Sequence, residues 1–180
     1  MIQKWHVKRS RLVYDHSPWL KIWEQDVVLP NGMAIEGYIL TEAPDVGMVF
    51  AVTEDKQVIV VEQYKHGIGE TEVDLPAGYL DEDDPSPLAG AQRELLEETG
   101  YAGDDWQTMG DFVINPNRSG NRFYYFLARS VSRVTEPHLD PTEEIALHFV
   151  PLSELRDWLA RRNSSLATMA GVLLGLSALQ

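Results

Sequence analysis

The chain contains no cysteine. That excludes Cys-ligated zinc, a thiol nucleophile and a disulfide scaffold, and it agrees with a cytoplasmic protein. Cations are scarce: 15 Lys and Arg stand against 28 Asp and Glu, a formal net charge of −13 over 180 residues. So acidic a surface repels nucleic-acid phosphate, and no DNA or RNA partner is expected. Long hydrophobic runs are also missing. The longest apolar tract, Ala167 to Leu179, is broken by Thr168, two glycines and Ser177. It is too short to span a bilayer and reads as a buried or interface helix, so no membrane partner is expected. The opening MIQKWHVKRSRL has no apolar core of signal-peptide length, and no targeting signal is expected. What the acidity does suit is a site that collects divalent cations.

With 44% hydrophobic residues and this length, the chain is expected to form a single domain, 1–180. Its first third is strand-like. Trp19 to Leu29 and Met33 to Leu40 flank Pro30-Asn31-Gly32, a hairpin signal. Val46 to Val52 and Val58 to Gln63 flank the polar turn Thr53 to Gln57, and Glu72 to Leu75 reads as a short strand before Pro76. A helix is predicted from Ser86 as N-cap and Pro87 in the first turn to about Thr99, with Gly100 as left-handed C-cap. Strands at Trp106 to Ile114, Phe123 to Ser130 and Ile145 to Val150 follow, then helices at Leu152 to Arg162 and about Ser165 to Leu179. The order is neither strict βαβα alternation nor all-β, so an α+β domain with a mixed sheet is expected.

The chemistry concentrates on Ala91 to Tyr101, AQRELLEETGY. At 100° per residue Glu94, Glu97 and Glu98 share an arc of roughly 100°, with Leu88, Ala91, Leu95 and Leu96 on the other side to pack on a sheet. Glu94 and Glu98 are an i,i+4 like-charge pair, costing a few tenths of a kcal/mol in an isolated helix. A hard dication removes that repulsion, since Mg²⁺ takes oxygen ligands and commonly one or two carboxylates plus substrate phosphates. Alone, the three glutamates read first as a solvated acidic helix face, since charge runs are common on exposed helices. Their neighbours shift the balance: Leu75-Pro76-Ala77-Gly78, then an acidic loop from Asp81 to Asp84, precede Arg93-Glu94-Leu95-Leu96-Glu97-Glu98-Thr99-Gly100-Tyr101.

This succession of strand, glycine loop and helix resembles the Nudix box, G-x5-E-x7-R-E-U-x-E-E-x-G-U, where U is a bulky aliphatic or aromatic residue. The second half matches at every defined position, with Tyr101 as the final U. The first half departs: Gly78 to Arg93 is one residue longer than the family spacing, and Asp84 or a neighbour stands for the loop glutamate. The extra residue is assigned to the turn Asp84-Pro85-Ser86-Pro87, ahead of the helix. The resemblance implies a Nudix-type α/β/α sandwich with a strand-rich N-terminal extension over about 1–42 and a catalytic core over about 43–180. It implies Glu94 and Glu98 as metal ligands, Glu97 as an additional or alternating ligand, and the Ala77 carbonyl as a further one. Gly78, Arg93 and Gly100 are implied to be structural, Arg93 through a guanidinium that holds acidic groups in place. Mg²⁺ is the implied cofactor, with Mn²⁺ as the alternative.

Three features resemble the ADP-ribose and ADP-sugar pyrophosphatase branch. Pro116 lies 16 residues beyond Gly100; the strand-rich region before the box resembles one that exchanges across a homodimer; and Thr142-Glu143-Glu144-Ile145 resembles a mobile loop carrying a late glutamate to the attacking water. On that likeness Glu144, or failing it Glu143, is the candidate base, with Glu97 next; the plain alternative for the loop pair is an exposed turn before a strand. Where the branch often has Gln-Tyr-Arg this chain has Gln63-Tyr64-Lys65, and Pro116 is followed by Asn117-Arg118-Ser119-Gly120-Asn121. Lys65, Asn115 and Arg118 are candidate contacts to a diphosphate or sugar. Trp19 and Trp23, at i,i+4, would share a strand face and stack on a base, although tryptophan is more often core or interface. His66, His138 and His148 show no metal spacing. The expected activity is metal-dependent hydrolysis of a nucleoside diphosphate derivative, ADP-ribose or another nucleotide sugar. The alternatives are a GDP-sugar or dinucleoside polyphosphate, and a Nudix-like domain that binds a nucleotide without cutting it.

Overall fold

The Pro30-Asn31-Gly32 turn closes as its residue types require. Gly32 takes φ 85°, and Asn31 Oδ1 accepts the Met33 N–H at 3.0 Å. In the computed structural model, which describes residues 1–180, it joins β2 (Leu20–Val28) to β3 (Ala34–Glu42), and β2 also pairs antiparallel with β1 (His6–His16). Ion pairs Arg9–Asp26, Arg11–Glu24 and Lys21–Glu42 run across these strands. The unit they form takes in Met1–Asp45 and also Val113–Arg122. In the latter segment the Arg118 carbonyl accepts the Thr41 N–H at 2.7 Å. The bounds of β1 are not apparent in the sequence because every one of its residues is exposed, so no buried face imposes a period. Trp19 lies in the turn ahead of β2 and not on the strand with Trp23, so the shared strand face expected for the two does not form.

The second unit, Val46–Phe112 with Phe123–Gln180, carries the remaining elements. They are β4 (Val46–Thr53), β5 (Gln57–Lys65), β6 (Glu70–Asp74), β7 (Ala77–Tyr79), α1 (Pro87–Thr99), β8 (Tyr101–Ala102), β9 (Asp105–Val113), β10 (Arg122–Arg133), β11 (Ile145–Pro151), α2 (Leu155–Leu159) and α3 (Leu166–Ala178). The sheet order is β11-β5-β4-β10-β8, with β6 on β5, β7 on β4 and β9 on β10. β10 runs parallel to β4, while β8 on β10, β11 on β5, β5 on β4, β7 on β4 and β6 on β5 are antiparallel, so the sheet is mixed, as expected.

Alternation along β4 splits the core into two layers. Met48, Phe50 and Val52 join α2 and α3 on one face, while Val49 and Ala51 join Ala91 and Leu95 of α1 on the other. That is the α/β/α sandwich. At α1, Ser86 accepts the Ala89 N–H at 3.2 Å, Pro87 opens the helix, and Gly100 (φ 74°) donates its N–H to the Leu96 carbonyl. Leu96 is the exception on the predicted apolar side: it is 36% exposed. The helix expected over 152–162 shrinks to α2, because only Leu155 and Leu159 bury and Glu154 makes no side-chain cap. β10 outruns its predicted end because Ser130, at φ 52°, forms a bulge after which pairing resumes at Val131.

Candidate active site

The site is built where β7 meets α1. Gly78 and Ala77 pair with Gly47 and Met48 of β4, which fixes the strand against the sheet. From that position the Ala77 N–H donates to Glu98 Oε2 at 3.0 Å. Glu98 is only 5% exposed, although it belongs to the acidic face of the helix. Burial pushes its carboxyl well above the usual carboxylate range; the Ala77 N–H opposes this, and the charges of Glu94, Asp74 and Glu143 add to it. Burial likewise raises Glu94, to about 7, against the pull of Arg93 and with the help of Glu97 and Glu143. Glu94 lies against Gly78 so closely that a Cβ there would stand 2.2 Å from its Oε2, so only glycine leaves the carboxylate its place.

Arg93 organises the rest. Its guanidinium reaches Glu94 Oε1 at 2.8 Å, Glu97 Oε2 at 2.9 Å, Asp84 Oδ2 at 3.1 Å and Asp81 Oδ2 at 3.4 Å, and it also donates to the Tyr79 carbonyl. Asp84 accepts in addition the Asp81 N–H at 2.8 Å, and the hydrogen bond from Arg93 holds its carboxyl below the ordinary range. Of the two loop acids that Arg93 reaches, Asp84 is the nearer and the more buried. No three His, Asp or Glu side chains are gathered ready to share one ion. Two of the three helix glutamates are turned toward Arg93.

The other predicted residues separate into two sets. Glu143 belongs with the helix, because Glu94 and Glu98 both feel its charge. Its Oε2 accepts the Asp140 N–H at 3.2 Å while its own N–H donates to the Asp140 carbonyl. The chain leading to it is tied to α1, since the His138 N–H donates to the Glu97 carbonyl at 2.7 Å. Glu143 and Glu144 are both exposed. Lys65 ends β5 with its ammonium 2.8 Å from Gln63 Oε1. Asn115, Arg118 and the two tryptophans lie in the first unit. The Asn115 carbonyl accepts the N–H groups of Arg118 and Ser119. Arg118 stacks over Tyr38 at 5.1 Å and donates to the Ile39 carbonyl. The indole N–H of Trp23 donates to Glu42 at 2.9 Å, and Trp19 is 53% exposed. His66 bonds Tyr64 and His148 bonds Glu62, so neither is spare for a metal.

The NUDIX domain family model matches residues 41–169, which include every residue of the α1 site. This chain belongs to the Nudix family. It is 32% identical over 136 residues to an ADP-ribose pyrophosphatase of Bacillus subtilis (strain 168), covering 75% of this chain and 72% of that protein. It is 28% identical over 144 residues to a methanol dehydrogenase activator of Bacillus methanolicus, covering 79% and 77%. A solved structure described as an ADP compounds hydrolase superposes with a TM-score of 0.81, over 99% of this chain and 96% of that one; at 18% identity it supports the Nudix fold alone. The Nudix box of this enzyme thus runs from Gly78 to Tyr101 with the geometry given above. No helix is long and apolar enough to cross a membrane. One contributor was not visible in the sequence reading, Asp74 as a charge felt by Glu98.

Proposed function

We propose that this Nudix hydrolase cleaves the diphosphate linkage of a nucleoside diphosphate derivative, ADP-ribose or a related nucleotide sugar, to a nucleoside monophosphate and a sugar phosphate. The observation that carries the reading is the Glu94–Glu98 pair: two mostly buried carboxylates, both raised by burial and Glu98 also by the charge of Glu94, beside the Ala77–Gly78 backbone. An all-oxygen set with excess negative charge suits a hard dication, Mg²⁺ or Mn²⁺. Glu94 and Glu98 would hold it, with the Ala77 carbonyl and with Glu97 once it leaves Arg93. Bound there, the ion supplies charge neutralisation for the diphosphate and acidification of the attacking water.

The residues of the chain supply the rest. Arg93 keeps Glu94 and Glu97 close together while no cation separates them. Gly78 keeps the space that Glu94 occupies. Glu143 accepts the proton from water, in preference to Glu144, because its charge already reaches Glu94 and Glu98. Taking that role requires its carboxylate to leave the Asp140 N–H. Lys65, Asn115 and the tryptophans are offered as contacts to the diphosphate, sugar and base. Arg118 is the weakest member of that set, being engaged by Tyr38 and the Ile39 carbonyl. The N-terminal strands are assigned to a homodimer contact, the two units act as one catalytic domain, and the enzyme works in the cytoplasm. The test is hydrolysis by the full chain, with Mg²⁺ and with Mn²⁺, of ADP-ribose, a GDP-sugar and a dinucleoside polyphosphate. Fastest release of AMP from ADP-ribose supports the proposal. Faster cleavage of another member transfers the substrate assignment to it, and no cleavage of any sinks the catalytic reading in favour of a nucleotide-binding Nudix domain.

A further inference from the structure

The strand that leads by way of Leu75-Pro76 to Ala77 ends on a carboxylate to which the reading above gives no role. Asp74 is the last residue of β6. Its Oδ1 accepts the Leu75 N–H at 2.8 Å and the hydroxyl of Thr168. Thr168 sits in the first turn of α3. Its N–H donates to the capping Ser165 hydroxyl at 3.0 Å, and the two hydroxyls lie 2.8 Å apart, so the helix cap and the strand end share one network. One turn further along α3, Gly171 lets the helix settle on Leu75; a Cβ there would stand 2.8 Å from Leu75 Cδ1. From Asp74 onward each residue is fixed: Leu75 is fully buried, the Pro76 carbonyl accepts the Val49 N–H at 2.9 Å, and the Ala77 N–H donates to Glu98.

Both hydrogen-bond partners of Asp74 Oδ1 are neutral, a costly arrangement for a carboxylate withdrawn from water. Burial pushes Asp74 up to about 6, and its charge is among those that raise Glu98. Serving as an acceptor for a hydroxyl and an amide needs no charge, since an asparagine oxygen does the same. A dication at Glu98 would make the charge favourable. We infer that Asp74 is a positioning residue of the metal site, fixing through Leu75-Pro76-Ala77 where Ala77 meets Glu98 and placing a fixed negative charge behind the ligands without touching the ion. Carboxylates in this outer position commonly change metal affinity 10- to 100-fold when removed. The inference rests on the reading of Glu94 and Glu98 as ligands.

The test is Mn²⁺ binding to the full chain by calorimetry or electron paramagnetic resonance, without substrate, together with melting of the metal-free protein. Asp74→Asn keeps an acceptor for Thr168 and Leu75 and removes only the charge. It should weaken Mn²⁺ binding about tenfold while metal-free melting is unchanged or raised. Thr168→Val removes the anchor and keeps the charge; it should lower metal-free melting and also weaken Mn²⁺ binding. Wild-type Mn²⁺ affinity in a folded Asp74→Asn overturns the inference and leaves the ligand assignment standing. If Asp74→Asn does not fold, wild-type affinity in Thr168→Val overturns it. A wild-type chain that binds no Mn²⁺ removes the metal reading and this inference with it.

Discussion

The carboxylate of Glu94 occupies the space that a side chain on Gly78 would need, with 2.2 Å between Glu94 Oε2 and the position of the missing Cβ. The clash in Gly78→Ala would fall on the far end of a flexible side chain and not on the backbone. Glu94 would therefore move and the strand would stay. The variant should melt within about 1 kcal/mol of wild type in stability terms and lose at least about a hundredfold in kcat. Calorimetric melting beside turnover measures both, and a variant that unfolds or keeps full activity contradicts the account.

In the metal-free protein Glu94 is raised to about 7, Asp74 to about 6, and Glu98 well above its ordinary value. A carboxylate raised on folding leaves the native state binding more protons than the unfolded one. Stability is then greatest below the unfolded value near pH 4.5 and falls as pH rises through the folded values. Metal-free protein should lose stability from about pH 4.5 to pH 8. The lowered carboxyl of Asp84 acts in the opposite sense and only at lower pH. Saturating Mg²⁺ should flatten the slope, and Glu98→Gln should raise metal-free stability at pH 8. Urea melts at four pH values, with and without Mg²⁺, decide it; a metal-free slope of the opposite sign would count against the buried pair.

Between the two loop glutamates, the proposed base is Glu143, whose charge is felt by Glu94 and Glu98. Glu143→Gln should cut kcat at least about tenfold, with KM and Mn²⁺ affinity little changed, and Glu144→Gln should retain most activity. The reverse ranking would restore Glu144, and full activity in both would move the base to Glu97.

The α1 site was legible because it is local. Its caps, glycine and four charged residues all fall between Gly78 and Gly100, where helical periodicity and spacing apply directly. Glu143 and Asp74 were harder to place because α1 meets them only through tertiary packing: the tie of His138 to Glu97 brings the first, and the seating of α3 on Leu75 holds the second. The commitment of Arg118 to Tyr38 was invisible for the same reason, the two being 80 apart in sequence. Strand β1 lacked a buried face to give it a period, and α2 was overdrawn because a charged helical pattern continues past the last residue that buries. Packing makes Glu98 the buried member of the glutamate face and leaves Glu97 half-exposed, at 44% for the side chain.

The N-terminal unit exposes Trp5, Val7, Leu12, Val13, Tyr14 and Trp19. Apolar side chains at this density on one small unit suit a contact between two copies. Light scattering at micromolar concentration should give twice the chain mass of 20.3 kDa. Charged replacements at Leu12 and Tyr14 should shift it to one chain mass, whereas a wild-type mass of one chain rules the dimer out.

The central claim is that Glu94 and Glu98 hold the ion on which hydrolysis depends. Its most direct test is the kcat of Glu98→Gln against wild type at saturating Mg²⁺, on the nucleoside diphosphate derivative that wild type cleaves fastest. Melting of the same samples shows that the fold is intact. The predicted result is a loss of at least about a hundredfold, or roughly 2.7 kcal/mol of barrier, in a protein that melts as cooperatively as wild type. A folded Glu98→Gln turning over within about threefold of wild type would contradict it.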